Sequence, residues 1–477
     1  MKKIILILFV ILSISLLSEE IPAGNVSGEW NLENSPYNIN GEISISAGQT
    51  LIIEPGVEVV FTGHYKFNIH GQLLAVGTET DTISFTAQNT QTGWHGIRFN
   101  NISAVNDSSK ISHCILENGN AFGGWEDSSG GAIYISGSVK LIIDRCLLRN
   151  NSATGGGGAI SRWWSGESII ISNNIICNNN SSARGGGIYV FGSCDDISAM
   201  ISGNTICNNS SVEGGGIAFW DASAAVKRNI ICNNIASSAG GGIHLVDGSS
   251  PEIINNTICD NHAVSEGGGI ALNYVHFPIF NNLIIYGNTS NNGTQIHTPT
   301  TPDLTYCDIQ GGFVGTGNID VDPLFVNAEI DDYCLTENSP CIDAGDPNSP
   351  YDPDDTIADI GAIFFNQETD AVNNELQITN FKLRNYPNPF NPTTTIKFNL
   401  EQSQQNKQIE IEIYNIKGQK IKKLEISPES IREKLGINEV VWDGKDDSGK
   451  PVSSGIYFYQ LKVGNNFSET KRMLLLK

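Results

Sequence analysis

Apolar and polar positions recur along the middle of this chain in a repeating phrase. Each phrase has a Gly-rich step into an apolar segment, as at Gly185 to Val190, and a second apolar segment flanked by Asn. The isoleucines that follow the Gly-rich steps lie 27, 28, 29, 26 and 27 residues apart, at Ile133, Ile160, Ile188, Ile217, Ile243 and Ile270. A period in this range, with several short strands per unit, is typical of a stacked solenoid.

Asn residues occupy one position of the repeat, just before the second apolar segment. The predicted column consists of Asn174, Asn204, Asn229, Asn256 and Asn282, extended by Cys114, Cys146 and Cys307. Two places on lies an apolar column of Leu116, Leu148, Ile176, Ile206, Ile231, Ile258, Ile284 and Ile309. Because side chains alternate along a strand, we expect the apolar column to point inward. Stacked Asn amides would then satisfy polar groups at the bend of each coil.

The composition agrees with an all-β protein rich in turns. The chain has 50 Gly, and only 17% of its residues are charged. Segments of alternating polarity between Trp30 and Phe99 predict the opening coils, and long helical periodicities are absent from the sequence.

These residues resemble those of right-handed parallel β-helix proteins. The GGGI and Asn-Asn phrases are similar to repeats of bacterial polymorphic outer-membrane proteins, over roughly Asn31 to Ala362. The resemblance implies a right-handed parallel β-helix solenoid. It implies no single activity, since this fold carries lyases, hydrolases and adhesins, and function has to be argued from a site.

The two ends of the chain predict export and a change in charge. Residues 1–18 have Lys2, Lys3 and an apolar run typical of a secretory signal peptide, too short for a membrane span. We therefore expect a secreted or outer-surface protein with no transmembrane span in the mature chain. Residues 1–381 hold 12 basic and 40 acidic residues, a charge of −28, whereas residues 382–477 hold 16 and 11, a charge of +5. The acidic part excludes nucleic acid as a partner and favours cations or neutral glycans.

The repeat ends near Pro323, and an Asp-rich segment follows. It resembles the closing segment that caps many secreted β-helices, which assigns residues 19–365 to the solenoid with its cap and residues 366–382 to a linker. Carboxylates at this density predict calcium as the one candidate cofactor, with a solvated acidic loop as the alternative. The candidate ligands are Asp343, Asp346, Asp352, Asp354 and Asp355.

Short alternating segments separated by Gly, Asp and Asn predict a small β-sandwich over residues 383–477. This stretch resembles the C-terminal sorting domain of the type IX secretion system, an immunoglobulin-like sandwich. The resemblance implies that the type IX machinery is a partner. The residues that carry it are Tyr386, Pro387, Asn388, Pro389 and Phe390 and the tail with Lys471, Arg472 and Lys477. From the pattern alone we expect that tail to be exposed.

Two acidic residues are the candidate catalytic groups. Asp221 and Asp247 each follow their coil's Ile by four residues, so they should stack on adjacent coils about 5 Å apart. That separation suits a retaining glycosidase or a cation site. The alternative is that each Asp closes a turn for local reasons.

Aromatic residues cluster at the outward positions of the strand after each Gly-rich step. The ligand-binding candidates are Trp163, Trp164, Tyr189, Phe191, Trp220 and His244, with Tyr134 and Tyr274 beside them. Such rings suit stacking against sugar rings, and the alternative is that they only pack against neighbouring loops.

A cysteine column, Cys177, Cys207, Cys232 and Cys259, lies three places after the Asn column. Side chains stacked in parallel favour packed thiols over disulfides, while Cys334 and Cys341 could pair across a turn. Four thiols in a line cannot surround a zinc ion.

Three functions follow from these patterns. The leading hypothesis is a binding or adhesion rod for glycans or surface components. The second is a polysaccharide hydrolase or lyase acting through Asp221 and Asp247, although the array has few basic residues beside carboxylates. The third is a structural component of a surface layer.

Overall fold

The structure is a computed structural model. It describes residues 18–100, 108–164, 168–192, 198–367, 384–386, 392–399, 409–415, 420–426, 437–453, 455–463 and 466–475. The signal peptide up to residue 17, most of the predicted linker, Pro387 to Phe390 and Lys477 lie outside these residues. The chain forms two compact units, Met1–Glu368 and Thr369–Lys477. The domain boundaries expected from the sequence otherwise stay a prediction.

The first unit is a parallel β-solenoid. Within its described residues each coil passes through sheets 1, 2 and 3, of twelve, eleven and eleven strands, and six coils add a strand to a short sheet 4 between sheets 1 and 2. Sheet 1 comprises Glu19–Ile21, Tyr37–Ile39, Glu58–Phe61, Ile83–Ala87, Cys114–Glu117, Leu147–Arg149, Ile175–Cys177, Thr205–Cys207, Ile230–Cys232, Thr257–Cys259, Ile284–Tyr286 and Asp308–Ile309. Sheet 2 comprises Gly24–Asn25, Ile43–Ile45, Phe67–Ile69, Ile97–Asn100, Ile133–Ser136, Ile160–Trp163, Ile188–Phe191, Ile217–Trp220, Ile243–Val246, Ile270–Asn273 and Ile296–His297.

The remaining strands of the solenoid form sheets 3 and 4. Sheet 3 comprises Gly28–Trp30, Thr50–Ile53, Gln72–Val76, Ser109–Ser112, Leu141–Asp144, Ile169–Ser172, Ala199–Ser202, Ala225–Lys227, Glu252–Ile254, Ile279–Asn281 and Leu304–Thr305. Sheet 4 comprises Asn120–Ala121, Ser152–Ala153, Asn180–Ser181, Ser210–Glu213, Ile235–Ala239 and His262–Ala263. Two 3-10 turns, Leu32–Asn34 and Ala328–Ile330, are the only helical elements of the described residues, so none of these residues forms a helix able to cross a membrane.

The core is the stack of inward-facing aliphatic side chains. The isoleucines that follow the Gly-rich steps are fully buried and pair in register from coil to coil, as Ile188 does with Ile217 and Ile217 with Ile243. Full burial of each contributes about 1.5–3 kcal/mol. The Gly-rich step itself needs glycine: Gly214 has φ +67°, and a Cβ there would lie 2.5 Å from the carbonyl oxygen of Ile217. The predicted solenoid with a period near 27 residues is confirmed.

The Asn column forms a ladder of side-chain amides inside the solenoid. Asn204 is typical: its Oδ1 accepts from the backbone N and the Nδ2 of Asn174, both at 2.9 Å. Its Nδ2 donates to Asn229 Oδ1 and to the carbonyl of Ile171, again at 2.9 Å. Both donors and both acceptor positions of the amide are therefore satisfied, which removes the cost of burying it.

A second ladder, which sequence reasoning missed, runs at the end of the sheet 1 strands. It consists of Asn151, Asn179, Asn209, Asn234, Asn261 and Asn288. Asn209 Nδ2, for example, donates to Asn234 Oδ1 at 3.0 Å and to the carbonyl of Ile176 at 2.8 Å. In the sequence, four of its six members are visible as the second residue of an Asn-Asn pair, namely Asn151, Asn179, Asn209 and Asn234.

The predicted register is wrong at one coil. Ile258 pairs with Ile285, which is fully buried, so Leu283 takes the position assigned to Asn282, and Ile284 faces outward. The second ladder fixes this register, because Asn261 must stack on Asn288. Asn282 instead receives the backbone N of Asp346 on its Oδ1 at 2.8 Å and so binds the closing segment.

The closing segment, residues 323–367, folds back along the outer face of sheet 1, and we call it the strap. It was expected as a cap, but its contacts follow the side of the last coils. Tyr333 Oη donates to Asp260 at 2.9 Å, Gly361 N to the carbonyl of Asn282 at 2.9 Å, and Arg228 pairs with Asp352 at 3.2 Å. Within the strap, Phe325–Asn327 and Asp332–Leu335 form an antiparallel pair.

The strap covers the cysteine column. Cys207, Cys232 and Cys259 pack with its Tyr333, Leu335, Cys341 and Ile360 in one buried cluster. Nine cysteines lie in the described residues, and each is a thiol rather than part of a disulfide, Cys334 and Cys341 included. Burial raises the pKa of the Cys259 and Cys341 thiols well above the ordinary value.

The second unit is an immunoglobulin-like β-sandwich of a three-stranded and a four-stranded antiparallel sheet in its described residues. The strands are Arg384–Tyr386, Thr394–Asn399 and Ile437–Trp442 in one sheet and Ile409–Asn415, Lys420–Ile426, Gly455–Val463 and Asn466–Leu475 in the other. The expectation of an exposed tail is wrong. Lys471 to Leu475 lie in the last strand, where Met473 and Leu475 are fully buried in the core.

Candidate functional site

The outer face of sheet 2 has side chains of very different size on successive coils. One outward column reads Tyr134, Ser161, Tyr189, Ala218, His244, Ala271 and His297. The column two places on reads Ser136, Trp163, Phe191, Trp220, Val246 and Asn273. The hydrogen-bonded register fixes the distance between successive strands. A small residue beside a large ring therefore leaves a hollow, because the strands cannot move closer to fill it.

The resulting cavity has a volume of about 250 Å³. Its floor is formed by four of the predicted aromatic residues, Trp163, Tyr189, Phe191 and Trp220. Their rings contact one another: the centroids of Trp163 and Phe191 are 5.0 Å apart, and those of Tyr189 and Phe191 are 6.1 Å apart. Trp163 is held by the hydrogen bond from its Nε1 to Ser161 Oγ at 2.9 Å. The floor is thus a fixed aromatic surface.

The walls come from loops on either side of this floor. Trp125, Ser128 and Ser129 belong to the loop before the strand of Tyr134, while Gly155, Gly156, Ala183 and Arg184 belong to the turns that enter sheet 2. Trp125 meets Trp163 edge to face, with 5.3 Å between centroids, and remains 71% exposed. Among the described lining residues none is Asp or Glu, and Arg184 is the one charged group.

Arg184 is fixed by two contacts at the edge of the cavity. Its guanidinium lies 3.7 Å above the centroid of Trp220, and its Nε is 2.9 Å from Glu213 Oε2. A cation over an indole face is worth about 0.5–2 kcal/mol. The half-exposed guanidinium can still offer N–H donors toward the cavity. The neighbouring Tyr189 is buried, which raises the pKa of its phenol to about 12, so the phenol stays neutral.

His244, the fifth aromatic candidate, lies outside the cavity wall. It is buried two coils after Tyr189, with Nε2 2.9 Å from Asn273 Oδ1 and Nδ1 3.9 Å from Glu213 Oε2. Burial lowers its pKa, so the imidazole is neutral at pH 7. Trp164, the sixth candidate, and Tyr274 follow their strands in turns with φ of +40° and +58° and are exposed.

Asp221 and Asp247 are neighbours in the same column of turns as Trp164 and Tyr274. Both are exposed, and both have φ +49°. Asp221 N donates to the carbonyl of Val246, and Asp247 N to that of Asn273, each at 3.1 Å. Asp is among the few residues that tolerate the left-handed conformation, so these positions have a complete structural explanation. Their catalytic role stays a prediction.

The acidic residues of the strap serve mainly as acceptors for nearby N–H groups. Asp352 receives the backbone N of Asp359 at 2.7 Å, and Asp354 receives that of Gln367 at 2.8 Å. The other contacts are Gln367 Nε2 to Asp343 and Asn348 N to Asp346, both at 2.9 Å, while Asp355 occupies a left-handed turn at φ +61°. The part of the chain that the structure describes contains no group of three or more His, Cys, Asp or Glu side chains placed to hold a metal ion. The calcium hypothesis gains no support from this arrangement.

Sequence reasoning found the floor of the cavity but missed its walls. Trp125 belongs to an insertion, since Cys114 and Cys146 lie 32 residues apart while later members of that column are 25 to 30 apart. Arg184 is one of the few basic residues of the repeat region. Both were visible as departures from the repeat, although only folding places them beside Trp163 and Trp220.

Comparison with known proteins supports the fold of both units. The family described as "Right handed beta helix region" matches residues 51–258, and the family described as "FlgD Ig-like domain" matches residues 385–466. No curated protein matches the chain. Among solved structures, dimeric latent PorU from Porphyromonas gingivalis is similar at 20% identity over 20% of this chain and 9% of that chain, with a TM-score of 0.18. The match therefore spans less than a tenth of that protein.

Proposed function

We propose that this protein is a secreted or surface-displayed β-helix that binds glycans through the aromatic cavity of sheet 2. The observation that carries the proposal is the cavity itself, in which five aromatic rings and one guanidinium converge. Aromatic faces suit the apolar face of a sugar ring, and guanidinium N–H groups suit its hydroxyl or carboxylate oxygens. The net charge of −28 on residues 1–381 also makes nucleic acid an unfavourable partner.

Binding can be tested on the full chain with a panel of soluble polysaccharides and oligosaccharides, followed by calorimetry. Trp163→Ala removes the central ring of the floor, and we expect the affinity for the bound glycan to fall at least tenfold. Tyr274→Ala is the matched control, since that ring is 82% exposed and lies outside the cavity. Equal loss in both variants, or none in either, would contradict binding in the cavity.

The same samples test the polysaccharide-active alternative. It is favoured by one observation: Asp221 directly follows the cavity residue Trp220, and Asp247 occupies the same place one coil on. If the parent protein releases reducing ends or unsaturated products and Asp221→Asn does not, the protein is an enzyme. Binding without turnover supports the binding rod. If the protein binds no glycan and is abundant at the surface, the structural role becomes the better explanation.

We also propose that the C-terminal sandwich directs export through the type IX secretion machinery. Support comes from the resemblance of residues 383–477 to sorting domains, with the tail forming part of the folded module. Deleting Lys471 to Lys477 would remove core residues Met473 and Leu475 as well as the basic groups, so truncation alone is a blunt test.

A sharper export test uses two neighbouring residues of the sandwich. Trp442 is fully buried, and its loss to Ala should cost about 3–5 kcal/mol, whereas Val441 is 57% exposed. We expect Trp442→Ala to block surface delivery as completely as deletion of residues 369–477, and Val441→Ala to leave it unchanged. Undisturbed delivery of the deleted chain would refute the sorting role.

A further inference from the structure

One side chain bounds the cavity at each of its two limits along the solenoid axis. At the early coils Trp125 stands edge to face on Trp163, and at the late coils Arg184 covers Trp220. The floor between these limits spans the coils of Trp163 and Phe191, a length on the order of 10 Å. A volume of about 250 Å³ lies below the range of about 300–1,000 Å³ typical of pockets for drug-sized ligands, and suits one sugar ring. A polymer running along the axis would have to pass the ring of Trp125.

The loop that carries Trp125 is held by a buried arginine. Arg98, only 2% exposed, donates from Nη1 to the carbonyls of Ser129 at 2.7 Å and Gly130 at 2.8 Å, and from Nη2 to the carbonyl of Glu126 at 2.9 Å. Its guanidinium also lies 4.8 Å from the ring centroid of Tyr134. Hydrogen bonds from a charged donor contribute about 1.5–3 kcal/mol each, so this side chain dominates the anchoring.

Further contacts fix both sides of the loop. Lys66 Nζ lies 2.8 Å from Asp127 Oδ1, and the ring of Phe122 stacks on His64 at 4.1 Å. Toward the next coil, Gly155 N donates to the carbonyl of Ser128 at 2.6 Å, and Gly156 N donates to Ser129 Oγ at 3.1 Å. Although Trp125 is exposed, the backbone that carries it is therefore a fixed wall.

We infer that the cavity receives the end of a glycan chain, a single terminal sugar, and that Arg98 is the positioning residue that keeps the Trp125 wall in place. This inference rests on the proposed function and specifies its ligand. The terminal sugar lies over Trp163 and Phe191 with an oxygen acceptor toward Arg184, and the rest of the glycan leaves the cavity away from Trp125. Internal segments of a polymer are excluded because Trp125 blocks their continuation.

The experiment compares long and short chains of the same glycan at equal mass. The probes are a soluble β-glucan and a polygalacturonate, each intact and partially hydrolysed to chains tenfold shorter. For whichever probe binds, we expect apparent binding per unit mass to rise about tenfold on hydrolysis, in step with the number of ends. If intact and hydrolysed chains bind equally at equal mass, the inference is overturned, whereas glycan binding itself is still supported. Failure of all four preparations to bind overturns the proposed function and the inference together.

Two variants test the wall. Trp125→Gly removes an exposed ring without disturbing the core, and we expect the intact polymer to bind as well per unit mass as the hydrolysed one. Unchanged discrimination in Trp125→Gly would overturn the inference.

Arg98→Met should act in the same direction and has a readout that needs no ligand. Cleavage by chymotrypsin after Phe122 or Trp125 should be at least tenfold faster than in the parent protein. Lys66→Met is the matched control, because a partly exposed ion pair contributes about 0–1 kcal/mol and its loss should leave cleavage within twofold. Equal cleavage in Arg98→Met and the control would refute the positioning role.

Discussion

The outer faces of sheets 1 and 2 belong to the same coils, but the first is largely covered by the strap and the second carries an open cavity. On sheet 1 the outward column repeats one small residue, Cys177, Cys207, Cys232 and Cys259, and the strap lies over most of it. On sheet 2 rings alternate with small side chains, and a cavity remains open. Identical residues make a level surface that the chain itself can cover, whereas unequal residues make hollows. Departures from the repeat therefore indicate where a ligand can bind.

The largest predicted effect comes from opening the strap, which tests whether it protects the cysteine column. Ile360 is fully buried against the thiol cluster, and Ile360→Ala should weaken the local closure by about 3 kcal/mol, close to a hundredfold in the open fraction. We expect Cys232 and Cys259 to react about a hundredfold faster with a thiol reagent, as measured by mass spectrometry.

Two controls decide whether that effect belongs to the covered face. Ile357→Ala alters a strap residue that is 37% exposed and should change labelling less than threefold. Trp163→Ala, on the open face, should leave the thiols protected. If all three variants label alike, the two faces are not independent.

A smaller effect should appear in the pH dependence of the strap. Burial raises the pKa of Asp308, beneath the strap, and of Asp359, within it, to about 6. An unfolded carboxyl titrates near pH 3.9, about two units lower. The closed strap therefore binds protons more tightly, so this part of its stability is complete below about pH 4 and is lost as the pH rises through 6.

Hydrogen exchange of strap amides, corrected for intrinsic rates, measures that loss. We expect protection to fall between pH 4 and 6 in the parent protein and to fall less in Asp308→Asn. Asp303→Asn, an exposed change nearby, should follow the parent. Protection that rises over this range would contradict the assignment, and the cavity of sheet 2 should show no matching change.

Much of the fold could be predicted because local rules and stacking agree. Ile133 to Ile270 and Asn174 to Asn256 were placed correctly from spacing alone, since each coil repeats the same contacts. The prediction failed at Asn282, which lies one residue out of step with the column, because the bond between Asn261 and Asn288 on the neighbouring coils sets the register. It failed again at the tail, because Met473 and Leu475 look like an exposed terminus until their partner strand is known.

The candidate site was half predictable. The floor follows from period-2 alternation, which directs Trp163 and Phe191 outward. The walls depend on contacts between residues far apart in the sequence, such as Arg98 with the carbonyl of Gly130 and Arg184 with Trp220. No local pattern fixes such pairs. For the same reason the strap could be recognised as a closing segment while the face that it covers could not.

The two Asn ladders also determine how such a protein can change length. Each internal Asn bonds to the coil before it and to the coil after it with the same geometry, as Asn204 does with Asn174 and Asn229. Duplication or loss of a gene segment encoding one whole coil would rejoin equivalent partners and leave no amide orphaned. A lineage could therefore lengthen or shorten the solenoid in steps of about 27 residues. The loop of Trp125 and the coils of Trp163 and Phe191 would have to be kept together, because they form one cavity.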